Sequence, residues 1–224
     1  MNKVAVIVAG GTGTRMGRDI PKQFLTVNGK AIILHTIEAF ISAFADIRII
    51  LVLHKDYVEY ARQLINDHAV NHDIALVEGG DSRFQSVKNG LSLIVDDSIV
   101  FVHDAVRCLV SPELIIRCAE HAVQNGSAIP VIPVRDSIRK LDRATGNSFA
   151  VSRDDLYIVQ TPQTFRSDII LPAFKAEYHH SFTDEATVVE AHGTKIQMVE
   201  GEERNIKITT PTDLLIAENI LATF

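Results

Sequence analysis

A glycine-rich segment follows directly on the first apolar stretch of the chain. Residues 3–9 read KVAVIVA and residues 10–17 read GGTGTRMG, with Arg15 inside the segment and Lys22 shortly after it. Glycines at the end of a buried strand let backbone N–H groups approach an anion closely. Two cations beside such a loop suit a triphosphate better than a diphosphate bridge. The segment therefore predicts a phosphate-binding loop, and a tight turn with surface cations is the alternative interpretation.

The spacing of these glycines separates the loop from two familiar phosphate-binding patterns. A Walker A loop needs GxxxxGK followed by Ser or Thr, and no glycine of this segment precedes such a pair. The dinucleotide pattern GxGxxG would need glycine at position 16, where Met16 stands, and Gly17 comes one residue late. The segment therefore predicts neither a kinase-type P-loop nor a dinucleotide-binding fingerprint.

Two further groups of polar residues come at the ends of apolar runs. Asp104 follows residues 99–103 (IVFVH), and Gly79-Gly80-Asp81 follows residues 73–78 (DIALVE). Open α/β sheets bind ligands at the carboxyl ends of their strands, so we expect these residues near the glycine-rich loop. A carboxylate at Asp104 suits Mg²⁺, which takes few protein oxygens and completes its shell with phosphate oxygens. A carboxylate that caps the next turn is the alternative, and His103 is interpreted as a structural histidine rather than a base.

The rest of the chain supplies the elements that must position these side chains. Apolar runs predict strands over residues 3–9, 48–53, 73–78, 99–103 and 128–134. Helices are predicted over about 31–44, 56–66 and 83–94, and from Ser111-Pro112-Glu113 to Gly126. Five strands that alternate with helices through short loops predict an α/β fold with a single doubly wound, mostly parallel sheet and helices on both faces.

The alternation stops after residue 134, and a highly charged segment follows. SIRKL (137–141) and SFAVS (148–152) alternate around Thr145-Gly146-Asn147, which predicts a protruding β-arm within residues 135–157. A hairpin this charged has little core of its own, so we expect it to pack on a partner subunit. A mobile surface hairpin is the alternative. Beyond the arm, the patterns predict helices near 167–178, from Thr183-Asp184-Glu185 and from Thr210 to about 222, and a strand at 195–199.

Composition excludes several classes of protein. The 224 residues are 46% apolar and 22% charged, which is ordinary for a globular protein. No stretch approaches the roughly 18 apolar residues of a membrane helix, and a net charge of −6 argues against a non-specific nucleic-acid binder. Cys108 and Cys118 cannot build a disulfide framework. We therefore expect a cytoplasmic protein with one domain over residues 1–224 and neither a membrane nor a nucleic-acid partner.

Six short blocks resemble, in order, the signatures of the 2-C-methyl-D-erythritol 4-phosphate cytidylyltransferase family of sugar-phosphate nucleotidyltransferases. They are HDAVR (103–107), PVRDS (133–137), VSRDDL (151–156), TPQTF (161–165), TDEA (183–186) and NIKIT (205–209). The resemblance runs from about residue 3 to residue 222. It implies a Rossmann-like nucleotidyltransferase fold and transfer of a cytidylyl group from CTP to 2-C-methyl-D-erythritol 4-phosphate. The implied products are pyrophosphate and 4-diphosphocytidyl-2-C-methyl-D-erythritol, a precursor in non-mevalonate isoprenoid biosynthesis.

The resemblance also implies roles for individual residues. Arg15 and Lys22 would stabilise the pentacoordinate transition state, while Arg153 and Lys207 would position the acceptor phosphate. The implied CTP-binding residues are Ala9, Gly10, Gly11, Gly13, Arg15, Lys22, Gly80, Asp81 and Ser86. The implied acceptor-binding residues are Asp104, Arg107, Ser137, Arg153, Thr161, Thr183 and Lys207. Mg²⁺ or another divalent cation is the implied cofactor, with Asp104 as its ligand, and a homodimer through the arm would bring Arg153 to the neighbouring subunit.

The chain departs from the family's pattern at a few positions. Relatives often read HDAARP where this chain has Val106 and Cys108, and they often carry an acid where Arg204 stands. These departures leave ribitol 5-phosphate open as a different acceptor, although VSRDDL and TDEA favour the methylerythritol substrate. Two further functional classes stay open, a nucleotide-dependent reductase, which Met16 disfavours, and a non-catalytic nucleotide-binding module. The loop cations and Asp104 tell against the non-catalytic module.

Overall fold

A computed structural model describes residues 1–11 and 20–223, and its largest feature is a mixed sheet of eight strands. The strands are β1 (Asn2–Ala9), β2 (Thr26–Val27), β3 (Lys30–Ala31), β4 (Arg48–Leu53), β5 (Ile74–Glu78), β6 (Ser98–Asp104), β7 (Ser127–Pro133), β8 (Ile138–Leu141), β9 (Ser148–Val151), β10 (Tyr157–Val159), β11 (Gln163–Arg166) and β12 (Met198–Glu200). The helices are α1 (Ile32–Ala43), α2 (Val58–Asp67), α3 (Arg83–Leu91), α4 (Pro112–Asn125), α5 (Ser167–Ala173), α6 (Glu185–Ala191) and α7 (Pro211–Thr223). Within the described ranges, no helix has the length and apolarity needed to cross a membrane.

The large sheet has the order β10-β7-β11-β6-β1-β4-β5, with β12 paired to β7. Neighbours among β6, β1, β4 and β5 run parallel, as do β7 and β12. Only β10 and β11 run antiparallel to their neighbours among these described strands. The predicted mostly parallel sheet is therefore confirmed.

Strand β1 shows why its sequence is apolar at nearly every position. Ala5 and Ile7 pack in the cluster that contains side chains of α1 and α4, while Val4 and Val6 pack in the cluster that contains side chains of α3, α5 and α6. A strand covered by helices on both faces has no solvent side, so both sets of alternating positions are apolar. The predicted doubly wound arrangement is confirmed.

The register of the central strands aligns their carboxyl ends. Ala9 lies opposite Leu53, Leu53 opposite Glu78, and Val8 opposite Asp104. The residues that follow these strands therefore emerge along one edge of the sheet. This edge carries the glycines and the carboxylate that the sequence singled out.

Two strands of the sheet were not predicted. Strand β11 lies between β6 and β7, where uninterrupted strand–helix alternation would make those two strands neighbours. Its polar Gln163 and Thr164 are typical of a loop, yet both are buried. Gln163 hydrogen-bonds with Asp184 and with the backbone N–H of Ala186, so tertiary partners satisfy an amide that local patterning places at the surface. The three-residue strand β10 is too short for a periodic signal.

Other boundaries differ by a few residues. The helix predicted over 83–94 ends at Leu91, and the one predicted over 167–178 ends at Ala173, one residue after Pro172. The strand predicted at 195–199 pairs with β7 only over Met198–Glu200. Strands β2 and β3 form a small unpredicted hairpin, whose Asn-Gly turn has positive φ at both residues, as a type I′ turn requires.

The predicted arm is present as a separate two-stranded sheet. Strands β8 and β9 pair antiparallel, with Ile138 opposite Val151 and Leu141 opposite Ser148. Leu141 and Phe149 on this arm are 58% and 51% exposed. The hairpin thus offers apolar side chains to its surroundings although most of its residues are polar.

Gly90 generates a prediction about the packing of α3, the helix whose first residues lie at the functional edge of the sheet. A Cβ at Gly90 would lie 2.6 Å from Val6 Cγ1 and 2.8 Å from Val52 Cγ2. Alanine would gain about 1 kcal/mol of helix propensity, but overpacking costs about 1–3 kcal/mol. We expect Gly90→Ala to lower the free energy of unfolding in urea by about 1 kcal/mol.

The matched control is the same substitution in a Val6→Ala background, where the nearest methyl group is absent. There Gly90→Ala should cost less than it does in the wild type. A stabilised single variant would mean that helix propensity outweighs packing at this contact.

Candidate active site

A cavity of about 470 Å³ opens at the carboxyl ends of β1, β4, β5 and β6. Of the residues predicted from the sequence, it brings together Ala9, Gly10, Gly11, Lys22, Gly80, Asp81, Ser86, Asp104 and Lys207. The predicted residues Gly13 and Arg15 lie outside the described part of the chain. Among the described residues, this cavity therefore joins the predicted nucleotide-binding glycines to the predicted acceptor-binding carboxylate.

Ser86 fixes the loop between β5 and α3. The hydroxyl accepts a hydrogen bond from the Gly80 N–H at 3.1 Å and donates to the Ser82 carbonyl at 2.9 Å. Ser86 is buried, whereas an isolated serine on a helix is normally expected to face solvent. A Cβ on Gly80 would lie 2.2 Å from Gln85 Cγ and 2.7 Å from Gln85 Cβ, so the loop requires glycine there.

Gln23 fixes the end of β1, and sequence reasoning missed it. Its amide nitrogen donates to the carbonyl oxygens of Ala9 at 2.7 Å and Gly11 at 3.1 Å, and the side chain is buried. These carbonyls flank the start of the glycine-rich segment. The signal available in the sequence was a polar residue between Lys22 and the apolar pair Phe24-Leu25.

Asp104 is the centre of a cluster of charges. Its Oδ2 lies 2.8 Å from Lys207 Nζ and 3.6 Å from Arg107 Nε, and its Oδ1 lies 3.4 Å from Arg83 Nη2. Burial by itself would raise the pKa of this carboxyl group. The charges of Arg83, Lys207 and Arg107 outweigh burial and hold the pKa below its usual range. Asp104 is therefore an anion that keeps cationic side chains close together.

His103 is a structural histidine, as predicted. Its Nδ1 lies 3.0 Å from the Thr161 hydroxyl, and its Nε2 lies 3.2 Å from the Arg107 carbonyl oxygen. Because a carbonyl oxygen can only accept, Nε2 of the neutral ring carries the proton, and Nδ1 accepts from the Thr161 hydroxyl, which itself accepts from the Asp104 N–H at 3.1 Å. Burial lowers the pKa of His103 to about 3. The ring is neutral, and Thr161 positions the backbone of Asp104 from behind the cavity.

Arg107 holds the segment that carries Lys207. Its guanidinium donates to the carbonyl oxygens of Asn205 at 2.8 Å and Val159 at 3.4 Å. The Asn205 amide in turn donates to the Thr161 carbonyl at 2.8 Å. Arg107 was predicted to bind the acceptor, but in this arrangement its buried guanidinium contacts the protein backbone and Asp104.

Besides the buried Arg107 and Thr161, three further predicted acceptor-binding residues do not line the cavity. Ser137 and Arg153 lie at the base of the arm, where both are exposed, and Arg153 donates to the Arg135 carbonyl. Thr183 is exposed just before α6. Sequence reasoning also missed Arg83, which lines the cavity and contacts both Asp104 and Glu185. Its signal was its place in GGDSR, directly after the glycines that follow β5.

The residues present do not fit a metal site built by the chain. Among the described residues, no group of three or more His, Cys, Asp or Glu side chains is placed to hold a metal ion. Asp104 is a single carboxylate with cations beside both oxygens, so a metal ion there would face three positive side chains. The geometry does not support the prediction that Asp104 is a magnesium ligand. The same cations make the cavity suited to polyanions such as phosphate esters.

Comparison with known proteins matches this arrangement to one family. The chain fits the sequence profile described as IspD, 2-C-methyl-D-erythritol 4-phosphate cytidylyltransferase, over residues 3–223. A protein with that enzyme name from Phocaeicola vulgatus is 46% identical over 223 residues, which cover 99% of this chain and 100% of the relative. One from Bacteroides fragilis is 44% identical over 221 residues, with coverage of 99% and 100%.

Solved structures give the same result. The crystal structure of 4-diphosphocytidyl-2C-methyl-D-erythritol synthase from Anaerococcus prevotii superposes with a TM-score of 0.83 at 28% identity, covering 99% of this chain and 96% of that one. The 2-C-methyl-D-erythritol 4-phosphate cytidylyltransferase of Thermus thermophilus gives 0.77 at 29% identity, with coverage of 99% and 100%.

His103 generates a prediction about stability against pH. Its pKa falls from an ordinary 6.5 to about 3 on folding, so the unfolded chain binds more protons between these values. The stabilisation is therefore complete above about pH 6.5 and is lost as the pH falls toward 3. Within this window, each unit by which the pH falls should lower the free energy of unfolding by up to about 1.4 kcal/mol through His103.

Urea unfolding at pH 7.5, 6.0 and 5.0 measures this effect. His103→Gln should be less stable than the wild type at pH 7.5 and should lose less stability on acidification. His192→Gln, at an exposed histidine, is the control and should follow the wild type. Equal losses in the wild type and His103→Gln would contradict a buried neutral imidazole.

Proposed function

Because the chain belongs to the IspD family of 2-C-methyl-D-erythritol 4-phosphate cytidylyltransferases, we propose that its cationic cavity is where the cytidylyl group is transferred. The protein is a nucleotidyltransferase of the methylerythritol phosphate route to isoprenoids. It transfers the cytidylyl group from CTP to 2-C-methyl-D-erythritol 4-phosphate, releases pyrophosphate and forms 4-diphosphocytidyl-2-C-methyl-D-erythritol.

The reaction needs positive charge rather than a general base. The second pKa of a phosphate monoester is about 6, so the acceptor is already largely a dianion at neutral pH. Its oxygen attacks the α-phosphorus of CTP while the bond to pyrophosphate breaks. The barrier comes from bringing two anions together and from charge that develops on the transferred and leaving groups. Fixed cations that face this charge lower the barrier.

The observation that carries the proposal is the meeting of two lysines on one segment. Lys22 Nζ donates to the carbonyl oxygen of Ile208 at 3.0 Å, and Lys207 precedes Ile208 and contacts Asp104. Lys22 is the proposed transition-state cation, and Lys207 is a proposed ligand of the acceptor phosphate. Because the residue next to Lys207 holds the Lys22 ammonium group, both lysines lie at the same edge of the cavity. This placement supports attack of the acceptor oxygen on the α-phosphorus there.

The nucleotide is proposed to bind on the glycine side of the cavity. Gly10 and Gly80 expose backbone groups that can hydrogen-bond a pyrimidine edge at close range, and Ser86 holds the second of these loops in shape. Arg15 of the glycine-rich segment is proposed to face the triphosphate together with Lys22. A divalent cation, Mg²⁺ in the simplest case, is proposed to enter on the triphosphate as part of the substrate.

A homodimer is proposed to complete the acceptor side. Apolar side chains are exposed on the arm and on the neighbouring strand β10; they are Leu141, Phe149, Tyr157, Ile158 and Val159. An exposed apolar patch of this kind is typical of a protein interface. The arm also carries Arg153, which does not line the cavity of its own chain. We propose that the arm delivers Arg153, with Ser137, to the cavity of the partner subunit.

Domain organisation and location are proposed on separate grounds. We propose one cytidylyltransferase domain over residues 1–224, because the family match spans residues 3–223 and the arm leaves and rejoins the same sheet. We propose a cytoplasmic location, where thiols stay reduced. Cys108 and Cys118 are free, and burial raises the pKa of both thiols to about 12.

The proposed function predicts which substrates the protein uses. With Mg²⁺ and CTP, pyrophosphate release should depend on 2-C-methyl-D-erythritol 4-phosphate and should be much slower with ribitol 5-phosphate. UTP should be poorer than CTP by about 5- to 150-fold in kcat/KM, because an unmatched buried donor or acceptor costs about 1–3 kcal/mol. Faster turnover of ribitol 5-phosphate, or equal use of CTP and ATP, would overturn this assignment.

The proposed homodimer predicts that residues of two subunits form each site. Lys22→Ala should lower kcat by about 10²- to 10³-fold, the effect of one lost electrostatic donor, and Arg153→Ala should also be impaired. After subunit exchange between these variants, each mixed dimer should contain one site with both lesions and one site with neither. Activity should then recover toward half of the wild-type value per mixed dimer.

The control mixes Lys22→Ala with Lys207→Ala, two residues of the same cavity. Every site of that mixed dimer keeps one lesion, so activity should not recover. Absence of recovery in the Lys22→Ala and Arg153→Ala mixture, with exchange shown by differently tagged chains, would place Arg153 in the site of its own chain.

A further inference from the structure

We infer that Arg83, held in place by Glu185, is a positioning residue that fixes the Asp104 carboxylate and, through it, the ammonium group of Lys207. The inference rests on the proposed function, since Lys207 matters here as a ligand of the acceptor phosphate. Neither Arg83 nor Glu185 was among the residues implied by the family resemblance.

Arg83 joins two buried carboxylates. Two nitrogens of its guanidinium meet the two carboxylate oxygens of Glu185, and the Nη2–Oε2 distance is 3.1 Å. Nη2 also lies 3.4 Å from Asp104 Oδ1. A planar guanidinium can make this double contact and still reach a second acceptor, whereas a lysine ammonium acts as a point charge. Arg83 therefore ties the first turn of α3 to α6 and to the end of β6.

Glu185 is a rigid support for Arg83. Its side chain is 1% exposed, and Arg83 is the one cation paired with it among the described residues. The start of α6 is fixed by a capping box between Asp184 and Thr187. Gln163 of β11 adds bonds to Asp184 and to the Ala186 N–H. Because Glu185 cannot shift easily, it sets the place of the guanidinium.

The contacts of Asp104 show what this support achieves. Arg83 occupies Oδ1, which leaves Oδ2 facing Lys207 at 2.8 Å. Without Arg83, no other described side chain forms an ion pair with Oδ1, and the carboxylate would be able to rotate about its Cβ–Cγ bond. Rotation would move the oxygen that holds Lys207. Arg83 thus acts on the acceptor site through Asp104.

The main alternative is a direct contact between Arg83 and the nucleotide, because its side chain is 32% exposed and lines the cavity. A substitution at Glu185 distinguishes the two possibilities, because Glu185 is buried and does not line the cavity where the nucleotide would bind. A variant at Glu185 should weaken acceptor binding only if Arg83 works through its fixed position.

The experiment measures kcat and both KM values for Arg83→Lys, Glu185→Gln and the double variant. Arg83→Lys keeps the charge but loses the planar fork, and it should raise the KM for 2-C-methyl-D-erythritol 4-phosphate about tenfold or more. Glu185→Gln should raise the same KM, while the KM for CTP changes less than about twofold in both. The double variant should be no worse than the poorer single variant, because both act on one contact.

The matched control is Arg62→Lys with Glu59→Gln, an exposed ion pair on α2 that should leave all constants unchanged. A raised KM for CTP in Arg83→Lys with wild-type constants in Glu185→Gln would overturn the inference and assign Arg83 to the nucleotide. Loss of kcat with both KM values unchanged, or additive effects in the double variant, would also overturn it.

If a single variant fails to fold, a second double variant tests the inference. Arg83→Gln with Glu185→Gln removes both charges, so no buried charge stays unpaired. A raised acceptor KM in this variant supports the inference, and a wild-type KM overturns it. Turnover by the wild-type protein is measured first, because its absence would refute the proposed function itself rather than the role of Arg83.

Discussion

The buried carboxylate of Asp104 is the interaction on which the site depends. It lies at the carboxyl end of β6 with Arg83, Arg107 and Lys207 around it. Three cations placed this close around a buried carboxylate would repel one another strongly. Asp104 among them, and Glu185 against Arg83, offset that repulsion, yet the three cations still outnumber the two carboxylates and leave positive charge for phosphate groups. The arrangement is therefore stable without substrate and still attracts polyanions.

The sheet makes this cluster possible, because it brings distant segments to one edge. Asp104 ends β6, Arg83 begins the helix after β5, and Lys207 lies about a hundred residues further along the chain. Parallel pairing in register aligns the ends of these central strands, and helices cover both faces of the sheet. The antiparallel strand β11 then ties the later segments to β6. Without it, the segment that carries Lys207 would lack its connection through Thr161 and Asn205.

Sequence reasoning found the parts of the site that have local signals. Glycines after an apolar strand, as at Gly10 and Gly80, and a carboxylate at a strand end, as at Asp104, follow from backbone geometry and sheet topology. Arg83 was missed because its partners Asp104 and Glu185 lie 21 and 102 residues away along the chain. Gln23 was missed because its partners are backbone carbonyl groups, which its amide meets only in the folded chain. A buried amide or guanidinium has no periodic signature. The magnesium assignment of Asp104 came from its position at a strand end, from carboxylate chemistry and from the family resemblance, and three nearby cations, visible only in the fold, argue against it.

The arm shows how packing limits what a residue can do within one chain. The groups around Asp104 are held by buried contacts on several sides, which is what keeps a charge within a fraction of an ångström of its working position. Arg153 lies on an exposed hairpin with its own two-stranded sheet, and a backbone carbonyl of the same hairpin is its described partner. Such a hairpin cannot hold a phosphate ligand rigidly by itself. In the proposed homodimer, the partner subunit would bury the exposed Leu141 and Phe149. The same contact would fix the position of Arg153, so the two effects have one physical requirement.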